Sequence, residues 1–230
     1  VVSSIALLPV LSATLFIVFM QKEEYLNKIG FERPEVGMIL IGSLFGLVAD
    51  IPLIVSNESL LNINLGGALI PIIVSGSLVY KKKLDWKKLV LGIILVSVSA
   101  YYLSRYEPNL GIVSEFPQYL VPSFVAIMTG LTLEKNIKKR IPHVYVVAVL
   151  GVLIGADLVR IPMLVSEGVL GSIGGAGAMD LVYLSGLIGI IPVIIFYYFS
   201  QPISYSSNKL KECRKIVNSL DYSGDRKSVV

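Results

Sequence analysis

Residues 142–165 read PHVYVVAVLGVLIGADLVRIPMLV, an almost uninterrupted apolar run. At about 1.5 Å per residue, a helix of this length crosses a hydrocarbon layer about 30 Å thick. The run nevertheless contains a carboxylate, Asp157, and a guanidinium, Arg160, followed by Pro162. Because charged side chains are costly inside a membrane, the segment predicts a transmembrane helix with a polar site in its outer part.

A similar pattern of glycine, proline and charged residues occurs about 110 residues earlier in the chain. The earlier copy contains Gly42, Gly46, Asp50-Ile51-Pro52 and Gly66-Gly67-Ala68. The later copy contains Gly151, Gly155, Arg160-Ile161-Pro162 and Gly174-Gly175-Ala176. Apolar helices interrupted at corresponding places predict two repeats with a binding site between them. The glycine pairs predict close contact between these helices, or between each helix and a neighbour.

The composition indicates a membrane protein with several spans. With 54% hydrophobic residues and a mean hydropathy of +0.76, the chain has more apolar surface than a soluble domain of 230 residues can bury. Seven stretches are candidate spans: 1–20, 36–56, 60–80, 89–106, 118–133, 142–165 and 177–199. The predicted fold is therefore all-α, a polytopic helix bundle of about seven spans.

The repeats predict the domain organisation. A transmembrane domain over 1–206 contains repeat one at about 1–80, the linker helix 89–106 and repeat two at about 118–199, with both repeats in the same orientation. A cytoplasmic tail over 207–230 is predicted to contain a short amphipathic helix. Segment 1–20 has no basic start and no clear cleavage site, so we expect it to be a retained span.

The basic residues predict the orientation in the cell membrane. If the N-terminus is outside, all basic residues except Arg105 and Arg160 fall on the cytoplasmic side with the C-terminus, as the positive-inside rule requires. The net charge of +4 then indicates contact with anionic lipid and not with nucleic acid. We expect the lipid bilayer as the main partner, and a homo-oligomer or a larger membrane complex is also compatible with the sequence.

Four ionisable residues fall in the spans or at their outer edges: Asp50, Asp157, Arg160 and Asp180. Asp50 and Arg160 occupy equivalent places in the two copies, which predicts an ion pair between them. Asp157 lies one helical turn from Arg160 and is the competing partner. Three carboxylates and one guanidinium leave a surplus of acid, which predicts uptake of a proton or a cation. The alternative is that Arg160 only neutralises aspartates and fixes the packing.

The segment 168–177 is rich in glycine and is predicted to be an outer loop or a re-entrant segment. Asn64, Gly174 and Gly175 join the candidate binding residues because they lie beside the acids in the two copies. Asn62, Glu58 and Glu167 are candidate lining residues of an entry vestibule, or simply solvated loop residues.

Three segments resemble the signature stretches of an uncharacterised family of archaeal and bacterial multi-pass membrane proteins, catalogued as a domain of unknown function: Asn64–Pro71, Gly155–Leu158 and Ile173–Gly186. The resemblance implies a membrane protein without an established activity. Where the family has Thr-Phe-Asp-Gly, this chain has Ala178-Met179-Asp180-Leu181, so only the aspartate is shared.

The chain also has a looser similarity to the GxGD intramembrane aspartyl proteases. These place one aspartate on a sixth helix and another near the start of a seventh, after Gly-x-Gly, which here are Asp157 and Asp180. The similarity implies two catalytic carboxylates that share a proton and activate water. The chain lacks the Pro-Ala-Leu motif of these enzymes, and Arg160 would tend to keep Asp157 ionised.

Several chemistries are excluded by the motifs. The chain has no phosphate-binding loop, no HExxH motif and a single cysteine, Cys213, so we expect no cofactor and no metal site. The preferred function is a small-solute or ion channel or carrier in which Asp157 and Asp180 bind a proton or cation. An aspartyl protease comes second, and an accessory subunit of a membrane complex comes third.

Overall fold

The described part of the fold comes from a computed structural model and comprises residues 23–45, 49–55, 60–107, 111–115, 117–166, 170–175 and 180–200. Predicted span 1–20 and the predicted tail helix lie outside these residues. The chain divides into two compact units, 1–194 and 195–230. The described residues of the second unit are the end of one helix.

Helices dominate the described residues. The α-helices are α1 (Glu23–Ile29), α2 (Arg33–Phe45), α3 (Ile70–Lys82), α4 (Trp86–Leu103), α5 (Val121–Leu133), α6 (Ile137–Val152), α7 (Ile161–Ser166) and α8 (Leu181–Ser200). Two π-helical segments, Leu65–Leu69 and Leu153–Asp157, and two 3₁₀ turns, Gln118–Leu120 and Leu158–Arg160, adjoin them. The strands are β1 (Asp50–Val55), β2 (Leu60–Asn64), β3 (Arg105–Glu107), β4 (Gly111–Val113) and β5 (Leu170–Ile173).

Three helical stretches in the described residues are long and apolar enough to cross a membrane: Leu65–Lys82, Trp86–Leu103 and Ile137–Met163. Two further apolar helices, Gln118–Leu133 and Leu181–Tyr197, are shorter. This confirms a mainly helical chain with the character of a membrane protein. The count of seven spans and the domain boundaries stay predictions.

The all-α prediction is wrong for the predicted span 36–56. Helix α2 ends at Phe45, and Asp50–Val55 forms strand β1, which pairs antiparallel with β2. Pro52 explains the difference, because it lacks an amide proton and disfavours helix at the preceding residue. The β-branched residues around Pro52 favour a strand instead. The pairing shifts register between Pro52 and Ile54, as expected at a proline in a sheet.

The glycine-rich segment 168–177 contributes a strand. Leu170–Ile173 forms β5, which pairs in parallel with β2, so the sheet order is β1-β2-β5. The two copies of the sequence pattern therefore differ in local structure. Pro52 lies in a strand, whereas Pro162 lies in the first turn of α7, where a missing amide proton costs little.

Helix α6 is the most buried element. Buried residues run almost without a break from Ile141 to Val152, and Val144, Val146 and Val149 have no exposed surface. Helices α3, α4 and α5 pack around it. A helix covered on all sides can be apolar all round, as this sequence is.

Glycines allow α4 to lie very close to α6 and to the π-helical segment that follows it. A Cβ atom added at Gly151 would lie 2.5 Å from Val96 Cβ, and one added at Gly155 would lie 2.1 Å from the Ser97 carbonyl oxygen. The Ser97 hydroxyl donates a hydrogen bond to the Gly151 carbonyl at 3.0 Å. The predicted close contact is thus made with the neighbouring helix α4.

We predict that Gly155→Ala destabilises the protein by about 1–3 kcal/mol, because the methyl group meets backbone that cannot move aside. Gly76→Ala is the matched control, since nothing lies within 4 Å of a Cβ there. Alanine favours helix by up to about 1 kcal/mol, so the control is expected to be neutral or stabilising. Unfolding in detergent measures both variants, and equal stability of the two would contradict the packing described.

A buried carboxylate fixes the start of α2. Glu35 is fully buried and accepts hydrogen bonds from the Glu32 amide at 2.6 Å, the Ser77 hydroxyl at 3.1 Å and Lys81 Nζ at 2.9 Å. The contact with the Glu32 amide is half of a capping box. The Lys81 contact joins α2 to the end of α3 by an ion pair.

We predict that Glu35→Gln lowers the free energy of unfolding by about 1–3 kcal/mol, since Lys81 loses its buried partner and one buried hydrogen bond is lost. Glu24→Gln removes one charge from the exposed Glu24–Lys28 pair and should change stability by less than about 1 kcal/mol. A loss of the same size in both variants would show that the Glu35 contacts contribute little.

Candidate functional site

Two carboxylates on different elements, Asp157 and Asp180, line one cavity of about 130 Å³. Asp157 ends the π-helical segment Leu153–Asp157, and Asp180 directly precedes α8. The other lining residues are Ser104, Ile112, Val113, Ser114, Tyr119, Ala156, Leu181 and Leu184. A cavity of this volume has room for several water molecules.

The π-helical segment determines where Asp157 lies. A π-bulge inserts one extra residue into a helix and shifts the positions that follow, and such bulges are frequent at functional sites. Gly155 lies inside the bulge and against the backbone of Ser97, so the bulge is held against α4. Asp157 follows two residues later, near the end of α4 that supplies Ser104 to the cavity.

The surroundings of Asp157 are short of positive charge. Its Oδ2 atom is buried and has no hydrogen-bond partner among the described residues. Its carboxylate interacts with the backbone of Gly174 and, through charge, with Asp180. Two like charges that line one partly buried cavity repel unless a proton or a cation compensates them.

Asp180 has a structural role as well. Its Oδ1 atom accepts a hydrogen bond from the Val182 amide at 2.8 Å, and its carbonyl accepts one from the Leu184 amide at 2.9 Å. This is the geometry of an N-cap residue, which satisfies free amides at the start of a helix. The cap fixes the Asp180 carboxylate at the cavity wall.

The predicted Asp50–Arg160 ion pair is wrong. Arg160 Nη2 donates to the carbonyl oxygens of Tyr101 at 2.8 Å and Ser104 at 2.5 Å, and its guanidinium lies 5.0 Å from the Tyr101 ring centre. The last carbonyls of a helix lack hydrogen-bond donors within the helix, and Arg160 is the donor at this end of α4. In the described part of the chain, Arg160 forms no ion pair with Asp157 either.

Asp50 belongs to a separate network. Its Oδ1 atom accepts hydrogen bonds from Asn64 Nδ2 at 3.1 Å and from the Ser172 hydroxyl at 2.8 Å. Asn64 Oδ1 in turn accepts from the amides of Gly66 at 3.0 Å and Gly67 at 2.7 Å. Asp50 therefore joins three strands and the π-helical segment that leads into α3, and it is not among the residues that line the cavity.

Gly174 and Gly175 form the turn after β5. Gly174 has a φ of +68°, and a Cβ atom there would lie 2.7 Å from backbone atoms of Gly67 and Ala68. The Gly175 amide donates to the Ser172 carbonyl at 3.1 Å. Gly174 thus touches the Asp50–Asn64 network on one side and Asp157 on the other.

A two-stranded hairpin, β3–β4, borders the cavity. Arg105 on β3 forms ion pairs with Glu107 at 2.9 Å and with Glu115. The hydrogen bond to Glu107 and the charge of Glu115 raise the pKa of Arg105 above its usual value, so it is always charged. The Ser114 hydroxyl donates to the Leu103 carbonyl at 3.0 Å, which ties the residue after β4 to the end of α4.

Sequence reasoning did not identify Ser104, Ser114 or Tyr119 as cavity residues. Their residue types and spacing carry no signal, because only the folded chain brings them together. Asn62 lies in β2, away from the cavity lining, whereas Glu58 and Glu167 lie outside the described residues. The described residues contain no group of three or more His, Cys, Asp or Glu that could hold a metal ion.

Comparisons with known proteins give one positive result. No curated protein and no solved structure matches the chain, and a relationship to intramembrane aspartyl proteases is not shown. A family model described as "Protein of unknown function (DUF1614)" matches residues 16–192. Because the match covers most of the chain, the protein belongs to the DUF1614 family.

Proposed function

We propose that the cavity between Asp157 and Asp180 binds a proton or a small cation, and that the protein is a channel or carrier for it. The observation that carries this proposal is the presence of two carboxylates around one cavity, with no basic side chain bonded to Asp157 among the described residues. A partly buried acid pair of this kind is costly and needs a compensating positive charge.

The position of Arg160 supports this proposal. Its Nη2 atom is bonded to the end of α4, so the nearest guanidinium in sequence does not neutralise Asp157. The serine and tyrosine hydroxyls in the lining add oxygen ligands to those of the carboxylates. Oxygen ligands suit hard cations and hydrated protons, not soft metals.

The chemistry of the lining favours an ion over a larger solute. The cavity of about 130 Å³ accommodates a few waters or a partly hydrated ion. Its two carboxylates supply the negative charge that a proton or a cation needs. The proposal is therefore a proton or ion site, which is narrower than a site for small solutes in general.

The proposal places this site within a bundle of about seven spans, with the N-terminus outside the cell membrane and two parallel repeats. The pairing of β2 with β5 supports the repeats, because it joins residues 110 positions apart, Leu60 with Leu170 and Ile63 with Ile173. This is the offset between Asp50 and Arg160 in the two copies.

We predict that Asp157→Asn and Asp180→Asn each lower proton or cation flux in proteoliposomes at least about tenfold, because an amide cannot take up a proton or neutralise a cation. Proton flux is followed with an internal pH-sensitive dye. The dependence of the flux on the cation is tested by replacing K⁺ with Na⁺. Asn is as good an N-cap as Asp, so Asp180→Asn should still fold.

The matched control is Asp85→Asn, which makes the same charge change at the N-cap of α4, away from the cavity. It should conduct like the unchanged protein. Normal flux in both cavity variants would contradict the proposal and favour an accessory subunit.

One observation favours a second candidate, an intramembrane aspartyl protease. The two carboxylates share a cavity with room for water, and Arg160 bonds to the carbonyls of α4 and not to Asp157. In this chemistry the ionised aspartate removes a proton from water, whose oxygen attacks the peptide carbonyl carbon. The other aspartate donates its proton to the carbonyl oxygen. The first aspartate then gives the proton that it took from water to the leaving amine as the C–N bond breaks, and the second recovers a proton from a hydroxyl of the intermediate.

If this candidate is right, purified protein cleaves a single-span peptide in vesicles, and mass spectrometry detects two fragments. Asp157→Asn and Asp180→Asn should each abolish cleavage, since each carboxylate has a separate task. Asp85→Asn should leave it unchanged. Flux without cleavage would eliminate the protease, and cleavage without flux would eliminate the transporter.

A further inference from the structure

Two segments at one end of the bundle, residues 83–88 and 134–140, contain seven basic and two acidic residues. Each consists of a short connection and the first turn of the helix that follows it. They lie side by side, because Lys139 Nζ donates to the Lys83 carbonyl at 2.9 Å. Lys88 and the buried Glu134 form an ion pair at 2.5 Å, which neutralises both. The two segments therefore form one strongly basic patch.

The remaining basic side chains of the patch are available to a ligand. Lys83, Lys87, Lys135 and Lys138 are exposed, and none forms an ion pair with another described residue. Asp85 is the second acid of the patch, and it caps α4 by accepting a hydrogen bond from the Lys87 amide at 3.0 Å. The patch thus keeps a clear excess of positive charge.

An apolar stripe begins directly at the patch. On α4, exposed side chains occur at Val90, Leu91, Ile94, Leu95 and Val98. Spacings of four residues put them on one face of the helix. Trp86 is 67% exposed and precedes this stripe at the start of α4. Lys87 Nζ lies 6.0 Å from the centre of the Trp86 ring.

We propose that the patch and the stripe together bind one anionic phospholipid. The phosphate contacts Lys83 and Lys87, and an acyl chain lies along the exposed face of α4. A phospholipid has a charged headgroup directly followed by hydrocarbon, as the patch is directly followed by the stripe. The indole of Trp86 suits the boundary between headgroup and hydrocarbon. Each lysine near the surface adds about fivefold to the affinity for an anionic lipid.

Trp86 is the single tryptophan of the chain, so its fluorescence reports on this site alone. The full chain is reconstituted in phosphatidylcholine vesicles that contain either brominated phosphatidylglycerol or the same fraction of brominated phosphatidylcholine. We expect brominated phosphatidylglycerol to quench the Trp86 fluorescence at a mole fraction at least about tenfold lower than the one that brominated phosphatidylcholine requires. In Lys83→Gln/Lys87→Gln the preference should fall to about twofold or less.

The matched control is Lys28→Gln/Arg33→Gln, which removes two charges on the same predicted side of the membrane but outside the patch. It should keep the preference. Quenching by brominated phosphatidylcholine shows that each variant is inserted. Equal quenching by both lipids, or an unchanged preference in the Lys83/Lys87 variant, would overturn the proposal. Displacement of the lipid by glycerol phosphate in solution would also overturn it, since the site would then serve a free anion.

Discussion

The close contact of α4 with α6 and the π-helical segment is the constraint on which the rest of the structure depends. Gly151 and Gly155 have no side chains, so the Val96 side chain packs against Gly151 and the Ser97 backbone packs against Gly155. This contact brings the end of α4 to the level of Asp157 and Arg160. The cavity wall at Ser104 and the Arg160 cap on α4 both follow from it. The acid site therefore depends on the close helix packing at these two glycines.

The charges of the described residues are balanced in most places and unbalanced in two. Glu35 is neutralised by Lys81, and Glu134 by Lys88, so buried acids at the basic end of the bundle have partners. Among the described residues, the cavity lining contains two acidic and no basic residues, and the segments 83–88 and 134–140 contain seven basic and two acidic residues. Such a local excess of charge favours a ligand of opposite charge. The two proposals assign a proton or cation to the first and an anionic lipid to the second.

Sequence reasoning predicted what depends on local pattern and missed what depends on tertiary contact. The apolar runs 89–106 and 142–165 predicted the helices Trp86–Leu103 and Ile137–Met163 closely, since length and hydropathy determine them. The segment around Pro52 was misassigned, because hydropathy alone does not distinguish a short apolar strand from a helix. Asp157 and Asp180 were predicted as candidate site residues, because an acid in an apolar run is conspicuous. Ser104 was missed because nothing local marks it.

The Asp50–Arg160 pair failed for a related reason. The prediction assumed that two copies of one pattern place their charges at the same depth and facing each other. In the structure, one copy forms a strand and the other forms a helix. Asp50 bonds to nearby side chains and Arg160 to nearby backbone carbonyls. A helix end that lacks partners for its carbonyls attracts a guanidinium without any carboxylate.

The central claim is that Asp157 and Asp180 act as one unit in a shared cavity. The most direct test is a double-mutant cycle on the free energy of unfolding, with Asp157→Asn, Asp180→Asn and the double variant measured at constant pH. Because either substitution relieves the same repulsion, we predict that the second adds little to the first, with a coupling free energy of about 0.5–3 kcal/mol. Effects that add to within about 0.5 kcal/mol would show two independent carboxylates and would contradict the account.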